Sequence, residues 1–181
     1  MARIPLLSEE DLPEQISLVK KIKGRRRGHL INVYRALLHS PPLAESWFDH
    51  INQVRWGTKI SGRLREIVII RIGYLFSATY VLRQHIPVLA NAEGLSETIC
   101  VALKDWENTS CFNLSEQAAL RYIDAMALEV RVPDEIFTSL QAHYSHRQIV
   151  ELTLMTGAYI SHTRVLIALE VDLEPDETAN L

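Results

Sequence analysis

Apolar residues recur at intervals of three and four almost everywhere along this chain, the spacing that lines one face of a helix. No stretch alternates apolar and polar residues convincingly as a half-buried strand does, and no hairpin dipeptide joins two β-rich runs. The pattern predicts an all-α protein, and its punctuation predicts the elements. Ser8-Glu9-Glu10-Asp11 reads as a capping box opening a first helix. A second runs from His29 to Ser40, where Pro41-Pro42 stops it, and a third from Pro42 to about Val54. The longest unbroken apolar pattern of the first half then predicts helices from Ser61 to about Phe76 and from Ala78 to Glu93, the latter closed by Gly94 as a left-handed cap. Ser96 caps a short helix into Trp106, a loop covers Asn108 to Asn113, and Ser115 to Glu129 is helical again. Pro133 suits the first turn of a helix ending near His143, and Ser145 with Gln148 forms a capping box for a long helix to Glu170. The polar tail from Glu174 to Leu181 is expected to be loose.

With 181 residues, 48% of them hydrophobic, the chain is long enough for one self-supporting core, and no repeat, linker or low-complexity tract divides it. Residues 1–181 therefore read as a single domain. No apolar run approaches the about 18 residues of a membrane span, and the first residues, Met1-Ala2-Arg3-Ile4-Pro5, lack a signal-peptide core. Two cysteines at neither redox nor zinc spacing suit a reducing compartment, so a cytoplasmic protein without membrane partners is expected. The net charge of −3 includes one dense basic run, Lys20-Lys21-Ile22-Lys23-Gly24-Arg25-Arg26-Arg27. No aromatic residue interleaves with it to stack bases, so it reads as a solvated loop between two helices, open to a neighbouring subunit, and not as a nucleic-acid site.

The candidate chemistry lies in the segment Arg63 to Leu95. Glu66 stands eleven positions before Ser77 and His85 eight after it. Ser77 is also the expected helix break, its hydroxyl placed to accept from the amides that open the second helix. As one rod, the two residues would sit about 28 Å apart. Folded back on each other, the helices bring an acid to a base. Glu66 shares its face with Ile70 and Tyr74, and a carboxylate among such neighbours has a raised pKa unless cations or donors compensate. Tyr80, Val81 and Gln84 precede His85 by a turn and a half, surrounding the imidazole with a phenol, an amide and an apolar wall. Tyr159 and His162, three apart on the last long helix, are placed to line the same cavity as substrate-binding residues. His143 and His146 also lie three apart, but the helix boundary at Ser145 spoils a zinc geometry, so no metal is expected.

The run Arg63-Leu64-Arg65-Glu66-Ile67-Val68-Ile69-Ile70-Arg71, then Tyr80, His85-Ile86-Pro87-Val88-Leu89-Ala90 and Glu93-Gly94-Leu95-Ser96-Glu97, resembles the carboxymuconolactone decarboxylase family within the alkylhydroperoxidase D-like (AhpD-like) superfamily. The likeness extends to Ala2-Arg3-Ile4-Pro5-Leu6-Leu7, Tyr34 to Leu43 and Val150 to Leu154. It implies an AhpD-like helical bundle that assembles as a homo-oligomer, a trimer or hexamer. In the peroxidase branch a glutamate, a Cys-x-x-Cys pair and a histidine form a proton relay. The resemblance puts the first at Glu66 and the last at His85, while the two cysteine positions hold Ala78 and Val81. Neither can act as a thiolate, and Cys100 and Cys111 stand at the wrong spacing to replace them. Relatives without thiols read Glu-Tyr-x-Trp-x-x-His where this chain has Thr79-Tyr80-Val81-Leu82-Arg83-Gln84-His85. The resemblance implies a cofactor-independent lyase or isomerase in which Glu66, Tyr80 and His85 transfer protons on a small carboxylate or lactone. Its rivals are a ligand-binding or assembly protein of the same fold and, more remotely, a peroxide-related activity.

Overall fold

The computed structural model describes residues 1–175. Of the expected loose tail, the part from Asp176 to Leu181 lies outside the described residues. Nine α-helices are present among the described residues, and no strand: α1 (Ile16–Gly24), α2 (Asn32–Leu37), α3 (Pro41–Trp56), α4 (Gly62–Leu75), α5 (Thr79–His85), α6 (Glu97–Ala102), α7 (Leu114–Leu128), α8 (Asp134–Gln141) and α9 (His146–Ala168). Short 3-10 turns cover Pro13–Gln15 and Leu103–Asn108, and a π-helical turn covers Ile86–Ala90.

Helix α4 is the axis of the bundle, packed by α5, α7 and α9. Its β-branched run Ile67-Val68-Ile69-Ile70 is poor helix material by propensity, yet all four side chains are fully buried. Burial of such side chains contributes roughly 1.5–3 kcal/mol each, several times the propensity cost, so tertiary packing decides the conformation. The Ser61 hydroxyl starts the helix by accepting from the Leu64 N–H at 3.2 Å. The capping boxes Ser145 with Gln148 and Asn113 with Glu116 do the same for α9 and α7.

The chain turns between α4 and α5 at Ser77, whose φ of +53° is left-handed. A left-handed residue closes the helix before it, and the Ala78 N–H accordingly returns to the Gly73 carbonyl at 2.8 Å. Ser77 thus ends α4, and Ala78, without a capping side chain, precedes α5; the expected hydroxyl cap is not what opens it. A Cβ on Gly73 would lie 2.8 Å from Leu82 Cδ2, so glycine lets the two helices close on each other.

Other boundaries also differ from expectation. The Ser8 hydroxyl and amide both donate to the Asp11 carboxylate, at 2.7 and 2.8 Å, which makes a turn; the first α-helix waits until Ile16. Pro41 opens α3 instead of stopping its predecessor, because the first helical turn has no use for the missing N–H. The helix expected to run to Glu93 gives way after His85 to the π-helical turn, where Pro87 has no N–H for the regular ladder. Gly94 does adopt the left-handed cap, at φ +78°.

Candidate active site

The turn at Ser77 brings α4 and α5 together so that Glu66 Oε2 and His85 Nδ1 lie 2.6 Å apart, both buried. A carboxylate only accepts, so the imidazole Nδ1–H donates, and the Nε2 lone pair is left as the free basic position. Arg65 Nε donates to the other carboxylate oxygen at 3.1 Å, and its Nη2 donates to Glu93 Oε1 at 2.6 Å. Burial works to raise the Glu66 pKa, but His85, Arg55 and Arg65 outweigh it and hold the carboxyl below its ordinary range. The compensation by cations decides the sign. Burial lowers the His85 pKa against the opposing pull of Glu66, leaving a neutral imidazole beside an ionised carboxylate.

A cavity of about 210 Å³ opens over this pair. His85, Tyr34, Tyr80, Val81 and Tyr159 wall it, and His162 enters from α9. Tyr159 meets the His85 ring edge-on at 6.1 Å and the His162 ring at 5.9 Å. Burial pushes the Tyr159 phenol up to about 12, so it stays protonated. The Trp47 indole N–H donates to His162 Nδ1 at 3.1 Å, which places the His162 proton on Nε2. Glu66, His85, Tyr159 and His162 are therefore gathered at one place, with Glu66 behind His85 and fully screened from the cavity.

Tyr80 stands differently. Its ring borders the cavity, but its hydroxyl donates to Glu174 Oε1 at 2.6 Å and accepts from the Val33 N–H at 3.3 Å. Burial, with the Glu174 charge and hydrogen bond adding to it, keeps this phenol protonated well above its ordinary value. The hydroxyl serves Glu174 and not the imidazole.

The basic run, read from sequence as a solvated loop, supplies part of the cavity instead. Arg25 and Arg27 stand exposed at its mouth, while Arg26 is buried. Arg26 donates to the Tyr34 hydroxyl at 2.8 Å and to Asn52 Oδ1 at 3.0 Å, and lies over the Tyr34 and Phe48 rings. Arg27, at φ +54° before Gly28 at +84°, reaches Gln84 at 3.3 Å. Aromatic faces and an amide acceptor inside the bundle draw Arg26 inward. Arg55 of α3 completes the cationic wall, and sequence reasoning passed it over. A signal was present: Ala44, Phe48, Ile51 and Arg55 follow one another at helical spacing, so an arginine occupies the buried stripe of α3. Arg71, in the same stretch as Glu66, is not part of the cavity and is bidentate on Asp124 at 2.7 and 2.9 Å.

No cysteine lines the cavity among the described residues. Ala78 and Val81 are buried where a thiol pair would stand. Cys100 is buried elsewhere, its thiol raised to about 11 by burial with Glu66 and Glu97 adding, and Cys111 is exposed. Among the described residues no cluster of three or more His, Cys, Asp or Glu is placed to hold a metal, and no helix is long and apolar enough to cross a membrane.

The architecture belongs to a recognisable class. The alkylhydroperoxidase AhpD core of an uncharacterized peroxidase-related protein from Ralstonia eutropha JMP134 matches it with a TM-score of 0.82 at 14% identity, covering 99% of this chain and 97% of that one. A Cys-to-Ala variant of the debrominase Bmp8, in complex with 2,3,4-tribromopyrrole, matches with a TM-score of 0.78 at 18% identity, covering 99% and 97%. The protein has the AhpD-like fold. In sequence, Uncharacterized protein YdfG of Bacillus subtilis (strain 168) is 27% identical over 114 residues, 62% of this chain and 77% of its own length. No family model matches the chain.

Proposed function

We propose that the protein is a small-molecule enzyme of the AhpD-like fold in which His85 moves a proton on a carboxylate or lactone, in decarboxylation, lactone isomerisation or a related step. The observation that carries this reading is the 2.6 Å bond from His85 Nδ1 to a buried carboxylate beneath an accessible cavity. Glu66 fixes the tautomer and stabilises the imidazolium that forms when Nε2 takes a proton. For isomerisation, Nε2 removes the proton next to a carbonyl, the C–H electron pair moves into the enolate, and the proton returns at another carbon. For decarboxylation, the C–C electron pair enters the enolate as carbon dioxide leaves, and a proton passes from water through His85 Nε2 to the carbon, the hydroxide left behind combining with carbon dioxide as bicarbonate. In both, the negative charge develops on the carbonyl oxygen. The protonated Tyr159 phenol and the His162 Nε2–H are the neutral donors available to it at the cavity wall.

Turnover of a panel of small lactones and carboxylates, followed by proton NMR, tests the assignment. His85→Gln, with helicity retained by circular dichroism, should lower kcat by about 10²- to 10⁴-fold; unchanged turnover sinks the role of His85. A ligand-binding protein of the same fold is the second reading. The commitment of the Tyr80 hydroxyl to Glu174 favours it, since one of the three expected proton carriers is occupied. Saturable ligand binding with no turnover across the panel would select it.

A further inference from the structure

We propose that Arg55 is a carboxylate anchor and that the cavity takes a small organic monoanion, its carboxylate on the Arg55 guanidinium and its body against the His85, Tyr159 and His162 rings. This deepens the proton-transfer reading by naming the charge of the substrate and the residue that holds it.

Arg55 is only 9% exposed, and its Nε has no hydrogen-bond partner. Its guanidinium carbon lies 4.7 Å from the face of Trp56, and it feels the Glu66 charge without hydrogen-bonding to that carboxylate. The other arginines at comparable depth are satisfied. Arg65 holds Glu66 and Glu93, Arg71 holds Asp124, Arg26 holds Tyr34 and Asn52, and Arg35 holds Asn32 and two backbone carbonyls. A buried guanidinium without an acceptor costs free energy, so its persistence beside an open cavity points to an acceptor that arrives from outside.

The surroundings lack one. Arg25, Arg26, Arg27 and Arg55 all line the cavity, and no aspartate or glutamate does so among the described residues. Glu66 lies behind the wall and already accepts from His85 and Arg65. The positive potential is felt throughout, since Arg26 and Arg55 pull down the proton affinity of both Tyr159 and His162. A carboxylate matches the planar fork of Arg55 in two parallel hydrogen bonds and offsets the charge of that one buried guanidinium. The volume of about 210 Å³ falls below the roughly 300–1,000 Å³ of sites for drug-sized ligands, so the body of the anion is one small ring or a short chain.

Isothermal titration with benzoate, and with benzamide as its neutral isostere, tests the proposal on the full chain. Benzoate should bind saturably and benzamide at least about tenfold more weakly. Arg55→Met should weaken benzoate roughly ten- to a hundredfold, and Arg55→Lys should recover part of the loss, because a lysine supplies charge without the fork. The ligand-free thermal midpoint of Arg55→Met should hold or rise, which a merely structural arginine would not allow. His85→Gln should abolish turnover but weaken benzoate far less than Arg55→Met does, which separates failure of the proton-transfer reading from failure of the anchor. Absence of saturable benzoate binding, equal affinity for benzamide, or unchanged affinity in Arg55→Met would each overturn the anchor. Should Arg55→Met fail to fold, the wild-type comparison of benzoate with benzamide still decides.

Discussion

His85 and His162 are both held in the neutral form by burial, His85 against the attraction of Glu66 and His162 down to about 3 with His85, Arg26 and Arg55 adding to burial. Glu66 is lowered in turn, because the cations around it outweigh its burial. In each case the unfolded chain binds a proton at a pH where the folded chain does not, so stability rises with pH through these windows. Unfolding free energy should therefore be flat near pH 7 and above as far as these groups set it. It should fall as pH drops below about 6.5, and Glu66 should add to the loss below about 4.5. Each proton bound only by the unfolded chain changes stability by roughly 1.4 kcal/mol per pH unit. Urea titrations between pH 7 and 5 measure the slope. His162→Gln, whose amide oxygen can still accept from Trp47, should flatten it, and parallel slopes in the two proteins would remove His162 from the account. At this scale the pair Glu66 and His85 was legible as a spacing, and Arg55 was legible as an arginine on an apolar stripe. Their charge states were not, because a pKa depends on which cations the fold brings near.

At the level of elements, the whole site depends on the reversal between α4 and α5. Ser77 holds φ at +53°, a conformation that costs an L-residue roughly 1 kcal/mol and a glycine almost nothing. Ser77→Gly should raise the unfolding free energy by at most about 0.5 kcal/mol, the left-handed strain relieved slightly exceeding the entropy lost. Ser77→Val should lower it by more than that gain and loosen the Glu66–His85 contact. Chemical denaturation of both variants checks the pair, and stabilisation by valine would show that the turn is not strained. Helix starts set by side-chain caps, at Ser61, Ser96 and Ser145, could be read from sequence because donor and acceptor lie three residues apart. The first capping box misled because the same local chemistry also builds an isolated turn, and nothing nearby in sequence tells the two apart.

Over the whole molecule, the segment from Asp172 to Glu174 is tied back to the site. Glu174 accepts from the Tyr80 hydroxyl at 2.6 Å and from the Asn32 N–H at 2.7 Å, while the Asn32 amide donates to the Asp172 and Leu173 carbonyls. Glu174→Ala leaves the Tyr80 hydroxyl without an acceptor and should cost about 1–3 kcal/mol. In a Tyr80→Phe background the same change should cost distinctly less, and thermal melts of the four proteins in a double-mutant cycle measure the coupling. Additive effects would mean that the contact contributes nothing. The all-helical class, most helix boundaries, the absence of a thiol pair and the candidate acid and base all follow from the sequence, since periodicity, caps and residue identity are local properties. The tertiary structure alone decided that Arg26 of the basic run turns inward, that the Tyr80 hydroxyl serves Glu174 while the Tyr159 phenol stands beside His85, and that the Arg55 Nε has no hydrogen-bond partner. Those facts depend on residues from α1, α3, α5, α9 and the C-terminal segment meeting across the bundle, and no local pattern encodes which groups will be left to face one another or an empty space.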